Sequence, residues 1–283
     1  RFMAEKKYTP MMQHYLQMKE ENPDAILFYR LGDFYEMFFE DAKLVSQELD
    51  LVLTGRSAGV EEKVPMCGVP FHAANSYIQR LVKKGYKVAI CEQLEDPSTA
   101  KGLVDRGIIK IITPGTYMDA TMDAKSTNYM ASCDVSSFEI TVIYCELSTG
   151  ELKYQTLQRS LVALQKALLE QNVSELVCPM TMDKKWMAAL EEMDTMLISK
   201  HKKANIDSED LPLLNGIESE SLKEAFALLM AYLKDTQKQH IDHFLPIESM
   251  DKDKVLVMDY ETKNHLELVY SLSLIHISEP TRL

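Results

Sequence analysis

The sequence predicts an α/β protein built as two consecutive domains, and three observations carry that prediction. Early in the chain the hydrophobic period changes: the stretch from Leu27 alternates like a strand, whereas Phe38, Ala42, Val45 and Leu49 fall at i, i+4, i+7 and i+11 like a helix. Further along, Phe138–Leu147 and Glu151–Leu157 flank Ser148-Thr149-Gly150, a hairpin signal, and helices and strands then alternate. Charge also breaks between the halves. Residues 1–115 hold 15 Lys and Arg against 16 Asp and Glu, net −1, while residues 116–283 hold 16 against 27, net −11.

Taken in order, Thr9-Pro10 reads as a helix start, with Thr as the cap and Pro at the first position, and the helix runs to about Glu21. Asn22-Pro23-Asp24 breaks it and feeds a strand at Ala25–Tyr29. An amphipathic helix follows from Glu40, then a polar loop from Gly55 to Lys63 with two glycines. Ala73–Lys84 is a second helix stopped by Gly85. Strands at Lys87–Glu92 and Gly107–Thr113 turn through Asp96-Pro97-Ser98. From Pro114 to about Thr127 no period is strong, which reads as a linker. Beyond the hairpin come a helix at Ser160–Glu170, a strand at Glu175–Cys178, a helix at Lys184–Met193 and a strand at Thr195–Ser199. Ser221–Lys238 is a long helix with Ala225, Leu228, Leu229 and Tyr232 on one side.

At 283 residues, 46% hydrophobic and 26% charged, the chain has room for two cores and an ordinary globular composition. No apolar run approaches the ~20 residues that cross a bilayer, and no secretory signal opens the chain. Cys67, Cys91, Cys133, Cys145 and Cys178 form no C-x-x-C pair, so they read as free thiols in a reducing compartment, and a cytoplasmic location fits. The net charge of −12 speaks against broad electrostatic binding of nucleic acid. The near-neutral first segment is the one able to touch DNA, through a few local cations: Arg30, Arg56, Arg106 and Lys110 are the candidates for phosphate contacts. Lys83 and Lys84, at a helix end, read as a solvated face.

The stretch that most resists a purely structural reading is Leu27 to Ala42, where aromatics crowd together with carboxylates among them. Phe34 and Glu36 stand two apart on a strand and therefore share a face. An unpaired carboxylate in a core costs several kcal/mol, so Glu36 either finds a partner or faces outward. Tyr29-Arg30-Leu31-Gly32-Asp33-Phe34-Tyr35-Glu36 resembles the Phe-x-Glu region of the bacterial MutS mismatch-recognition family. Thr9-Pro10-Met11-Met12-Gln13, Pro65-Met66-Cys67-Gly68-Val69-Pro70-Phe71-His72-Ala73, Ala89-Ile90-Cys91-Glu92-Gln93, Ile112-Thr113-Pro114-Gly115-Thr116 and Tyr232-Leu233-Lys234-Asp235-Thr236-Gln237 match in order and spacing across roughly residues 4–271.

The resemblance implies a mismatch-binding domain at 1–115, a linker at 116–128, a connector domain similar to ribonuclease H at 129–245, the start of a helical core at 246–271 and a tail at 272–283. It implies that Phe34 enters the minor groove of duplex DNA and stacks on a mismatched or unpaired base while Glu36 hydrogen-bonds that base. A wedge of this kind unstacks one base step and kinks the duplex, which is cheaper where the pairing is already faulty. It also implies ATP and Mg as cofactors of a full-length ATPase, a homodimer, and MutL as a protein partner. The chain itself has no G-x-x-x-x-G-K-[ST] phosphate cradle, and no cofactor, metal site or catalytic residue is expected within it.

Two other readings compete. Glu139, Glu146 and Glu151 beside Cys145-Glu146-Leu147-Ser148-Thr149-Gly150 suggest a metal-dependent nuclease of ribonuclease H type, which needs several carboxylates converging on its ions. A relative that kept the fold as a scaffold without sensing mismatches is the other, and such a relative has no physical need for Phe34 and Glu36. After Ser271 the pattern changes abruptly: Leu272-Ser273-Leu274-Ile275-His276-Ile277-Ser278-Glu279-Pro280-Thr281-Arg282 resembles the translated read-through of a sequencing-library adapter. Residues from about Leu272 are expected to be non-native, and no function is read from His276.

Overall fold

A computed structural model describes residues 8–95, 104–118, 128–238 and 241–250. The chain divides into two compact units, residues 1–248 and 249–283, and all the elements named here belong to the first. The turn at Asp96-Pro97-Ser98, the helical-core start after residue 250 and the tail from Leu272 lie outside the described residues.

Helix α1 (Pro10–Glu21) begins as its sequence requires: the Thr9 hydroxyl accepts from the Met12 N–H at 3.4 Å, and Pro10 occupies a position that needs no N–H. A first mixed sheet then assembles from β1 (Ala25–Leu31), β2 (Phe34–Phe38), β3 (Thr54–Arg56), β4 (Val64–Pro70), β5 (Lys87–Gln93) and β6 (Arg106–Ile112), in the spatial order β3-β4-β2-β1-β5-β6. Helices α2 (Phe39–Leu49) and α3 (Ala74–Lys83) cover one face, with Phe28, Tyr35, Met37, Val45 and Leu81 in its core. The other face receives α1, which buries Met12 and Tyr15 against Leu27, Tyr29, Phe38 and Ala89.

A second sheet runs β11-β10-β7-β8-β9 through β7 (Tyr129–Val135), β8 (Glu139–Glu146), β9 (Glu151–Gln158), β10 (Val173–Pro179) and β11 (Leu197–His201). Its β7-β8-β9 part is antiparallel, and β10 and β11 join it in parallel. Helix α4 (Leu161–Glu170) is capped by Ser160 and α5 (Lys184–Glu191) by Asp183. Helix α6 (Glu220–Gln237) corrects the expectation of a one-sided stripe. Met230, Ala231 and Leu233 are buried together with Leu228, Leu229 and Tyr232, because α6 packs on β7 and β8 and also meets β6 of the first sheet.

The same junction changes the picture of the segment after β6. Thr116 is 1% exposed, and Glu175 of β10 gathers it in: its carboxylate accepts from the Thr113 hydroxyl, the Gly115 N–H at 3.0 Å, the Ser199 hydroxyl at 2.6 Å and the Tyr232 hydroxyl. Residues 114–117 are therefore buried or partly buried, Met118 is exposed, and 119–127 lie outside the described residues. All five cysteines are buried free thiols. Burial pushes Cys67 up to about 11 and Cys91 up to about 12, which keeps them protonated and unreactive.

Candidate nucleic-acid interface

The aromatic stretch, expected as one strand leading into a helix, folds into a hairpin. Leu31 pairs with Phe34 across a turn of Gly32 and Asp33, and Gly32 takes φ +57°, the left-handed conformation that a glycine in the first turn position supplies without strain. Strand alternation then sorts β2. Tyr35 and Met37 enter the α2/α3 core, while Phe34, Glu36 and Phe38 point to the face of α1. Helix α1 reaches Phe38, whose ring meets Tyr15 edge-on at 4.9 Å and is 1% exposed. Phe34 stays 46% exposed. Three side chains on one face thus pass from buried Phe38 through half-buried Glu36 to exposed Phe34.

The base of the strand is clamped. The Tyr15 hydroxyl accepts from the Phe38 N–H at 3.2 Å, and Asp41 accepts from the Leu27 N–H at 2.9 Å and from Lys19 at 2.9 Å. Burial, with the Asp41 charge nearby, pushes the Tyr15 hydroxyl well above the ordinary tyrosine range, so it stays a neutral donor and acceptor. Phe39 sits at φ +53°, a strained position for a bulky residue, and these contacts hold the chain there as it turns into α2.

Glu36 has found the partner that its burial demands. Its carboxylate forms an ion pair with Arg56, whose guanidinium lies 5.9 Å from the Phe38 ring. The register puts both side chains on one face of the sheet: Glu36 stands opposite Gly68 of β4, and Arg56 of β3 stands opposite Val64, four residues further along β4, so the long arginine side chain spans the offset. A Cβ at Gly68 would come 3.4 Å from Glu36 Cγ and 3.3 Å from the Tyr35 carbonyl oxygen. The missing side chain leaves the carboxylate its room.

The other candidate cations are placed differently. Arg106 is 8% exposed; it donates to the Arg30 carbonyl at 2.9 Å and the Val104 carbonyl at 2.8 Å, and lies over Tyr29. Its charge braces the sheet, and with burial dominating, the Tyr29 hydroxyl is still pushed up to about 12. Arg30 pairs with Tyr35 and so faces away from Phe34; it stacks at 3.8 Å on Phe71 and bonds Glu92 at 3.3 Å. Lys110 pairs with Ile90 and shares that same opposite face, and burial lowers its pKa. Of the four, Arg56 is the one bonded to Glu36, with a third of its side chain exposed. Phe71, 43% exposed and donating its N–H to the Asp33 carbonyl at 2.9 Å, adds a second aromatic at the hairpin tip. The sequence reading did not single it out.

Two of the three carboxylates of the nuclease reading, Glu146 and Glu151, have structural occupations. Glu146 accepts from the Ser148 and Thr149 hydroxyls and closes its own hairpin, and Glu151 bonds Tyr129 at 2.5 Å and Lys153 at 2.8 Å. Among the described residues no three His, Cys, Asp or Glu side chains are grouped to hold a metal ion. No described helix is long and apolar enough to cross a membrane.

With this geometry in place, comparison defines the class first: residues 9–121 match MutS domain I. The DNA mismatch repair protein MutS of Bacillus licheniformis is 43% identical over 269 residues, covering 94% of this chain and 30% of that protein. That of Listeria welshimeri is 43% identical over 268 residues, 94% and 31% respectively, and that of Clostridium tetani 41% over 277 residues, 94% and 31%. The chain belongs to the MutS family, and it spans about 30% of the length of the curated relatives it matches.

Proposed function

We propose that these residues are the sensing part of a protein that recognises mismatched or unpaired bases in duplex DNA at the first step of mismatch repair. Phe34 is the wedge and Glu36 the residue that hydrogen-bonds the displaced base. The observation that carries the reading is the exposure of Phe34, 46%, on a strand whose neighbours are all held in place. An exposed aromatic on a clamped strand can push between base pairs without the strand yielding. Inserting it costs about a few kcal/mol of unstacking, and less where the pair is already weak.

The near-neutral charge of residues 1–115 supports a probe that does not hold DNA by charge alone. In the whole protein, coupling to ATP and Mg, a homodimer that presses the probe onto the duplex, and MutL as downstream partner complete the reading. The acidic balance of residues 116–283 suits contacts with protein rather than with phosphate.

The test is equilibrium binding of the full-length protein to a matched duplex and to the same duplex with one mismatch. Phe34→Ala is expected to abolish the preference for the mismatch. Equal weakening on both duplexes would remove Phe34 from any sensing role.

A further inference from the structure

We propose that Arg56 is a specificity-determining residue: it keeps the Glu36 carboxylate neutralised, and surrenders it only to a base that offers a better hydrogen bond. The inference rests on the sensing roles of Phe34 and Glu36 given above and adds to them a competitor for the carboxylate.

The four candidate cations differ in what holds them. Arg106 is fixed by two backbone carbonyls, and Arg30 by Phe71, the Gly32 carbonyl and Glu92. Arg56 sits on a three-residue edge strand, and among the described residues Glu36 is the hydrogen-bond partner of its guanidinium. In turn, Arg56 is the hydrogen-bond partner of the Glu36 carboxylate among the described residues. Each is therefore able to leave the other without breaking a wider network.

On a matched duplex, the base edges beside Phe34 are already paired, so a carboxylate there gains no bond and meets the phosphate field. Arg56 cancels that charge. A mispaired base presents an unpaired N–H, and Glu36 can exchange the guanidinium for it. Discrimination comes from the bond between Glu36 and the unpaired N–H, and the ion pair with Arg56 is the competitor that bond must displace.

A full double-mutant cycle tests this in the full-length protein: wild type, Arg56→Met, Glu36→Gln and the double variant, each on matched and single-mismatch duplexes at several salt concentrations. Arg56→Met is expected to raise the mismatch-to-match affinity ratio about three- to fivefold, the scale of a partly exposed ion pair, because the matched duplex now meets an uncancelled charge and the mismatched one no competitor. In the Glu36→Gln background the same substitution should leave the ratio unchanged. A simple phosphate contact would instead weaken both duplexes equally in both backgrounds and lower the salt slope by about 1, which would overturn the proposal. A purely bracing role would lower the melting temperature and leave both ratios unchanged, and would overturn it equally. Loss of mismatch preference in no variant, including Phe34→Ala, would instead remove the sensing role itself.

Discussion

Glu36 on β2 and Gly68 on β4 face each other in register, with the position of a Gly68 Cβ only 3.4 Å from Glu36 Cγ. A Cβ there would touch Glu36 and approach the Tyr35 carbonyl oxygen to 3.3 Å, so the face where Arg56 and Glu36 meet has no room for a larger side chain. Gly68→Val is therefore expected to displace the Glu36 side chain and break its ion pair. Overpacking of this kind costs about 1–3 kcal/mol. Mismatch preference of the full-length protein should fall to the level of Glu36→Ala, and Gly68→Ala should lie between, since its neighbours need yield only slightly.

Phe34 and Phe38 lie on one face of one strand, and their substitutions should separate sensing from stability. Phe38→Ala removes a ring that is 1% exposed and packed on Tyr15, and is expected to cost about 3–5 kcal/mol. Phe34→Ala removes a half-exposed ring and should change stability by less than about 1 kcal/mol. Urea denaturation measures both, and a large loss in Phe34→Ala would mark that ring as structural.

Much of this was legible in the sequence where a single element decides the pattern. The Thr9-Pro10 start, the Gly85 stop and the β8–β9 hairpin all follow from local chemistry. The β1–β2 turn was hidden because Gly32-Asp33 sits inside an apolar run that reads as continuous. Strand β4 was hidden by Pro65 and Pro70, which argue against a strand, and β3 by its three-residue length in a polar loop. Strand β7 is buried on both faces over Tyr129–Cys133, so it shows no alternation. The pairing of Glu36 with Arg56 depends on the register of three strands, two of them hidden. No spacing rule could have found it.

Lys110 gives a test with a defined sign in pH. Burial lowers its pKa below the ordinary 10.5, so the folded state binds the proton less well than the unfolded chain does. The resulting penalty is fully present at neutral pH and disappears as pH rises through the folded pKa toward 10.5. Lys110→Met is expected to stabilise the protein at pH 7, with the gain vanishing at alkaline pH in a series of thermal melts. Because Lys110 lies on the face away from Phe34, the mismatch-to-match ratio should not change.

Glu175 joins the end of β6 to the second sheet and to α6, and its two oxygens face different kinds of donor. One accepts from the hydroxyls of Ser199 and Tyr232, and the other from the Thr113 hydroxyl and the Gly115 N–H. Hydroxyls can rotate to accept a hydrogen bond; a backbone N–H cannot. Glu175→Gln should therefore turn its carbonyl toward Gly115 and its amide toward Ser199 and Tyr232, at a cost below about 1.5 kcal/mol. Glu175→Ala leaves all four donors without their acceptor and opens a void beside Gly115, and should cost more than about 3 kcal/mol. Urea denaturation distinguishes the two. Equal losses would mean that the negative charge, rather than the set of acceptors, holds this junction together.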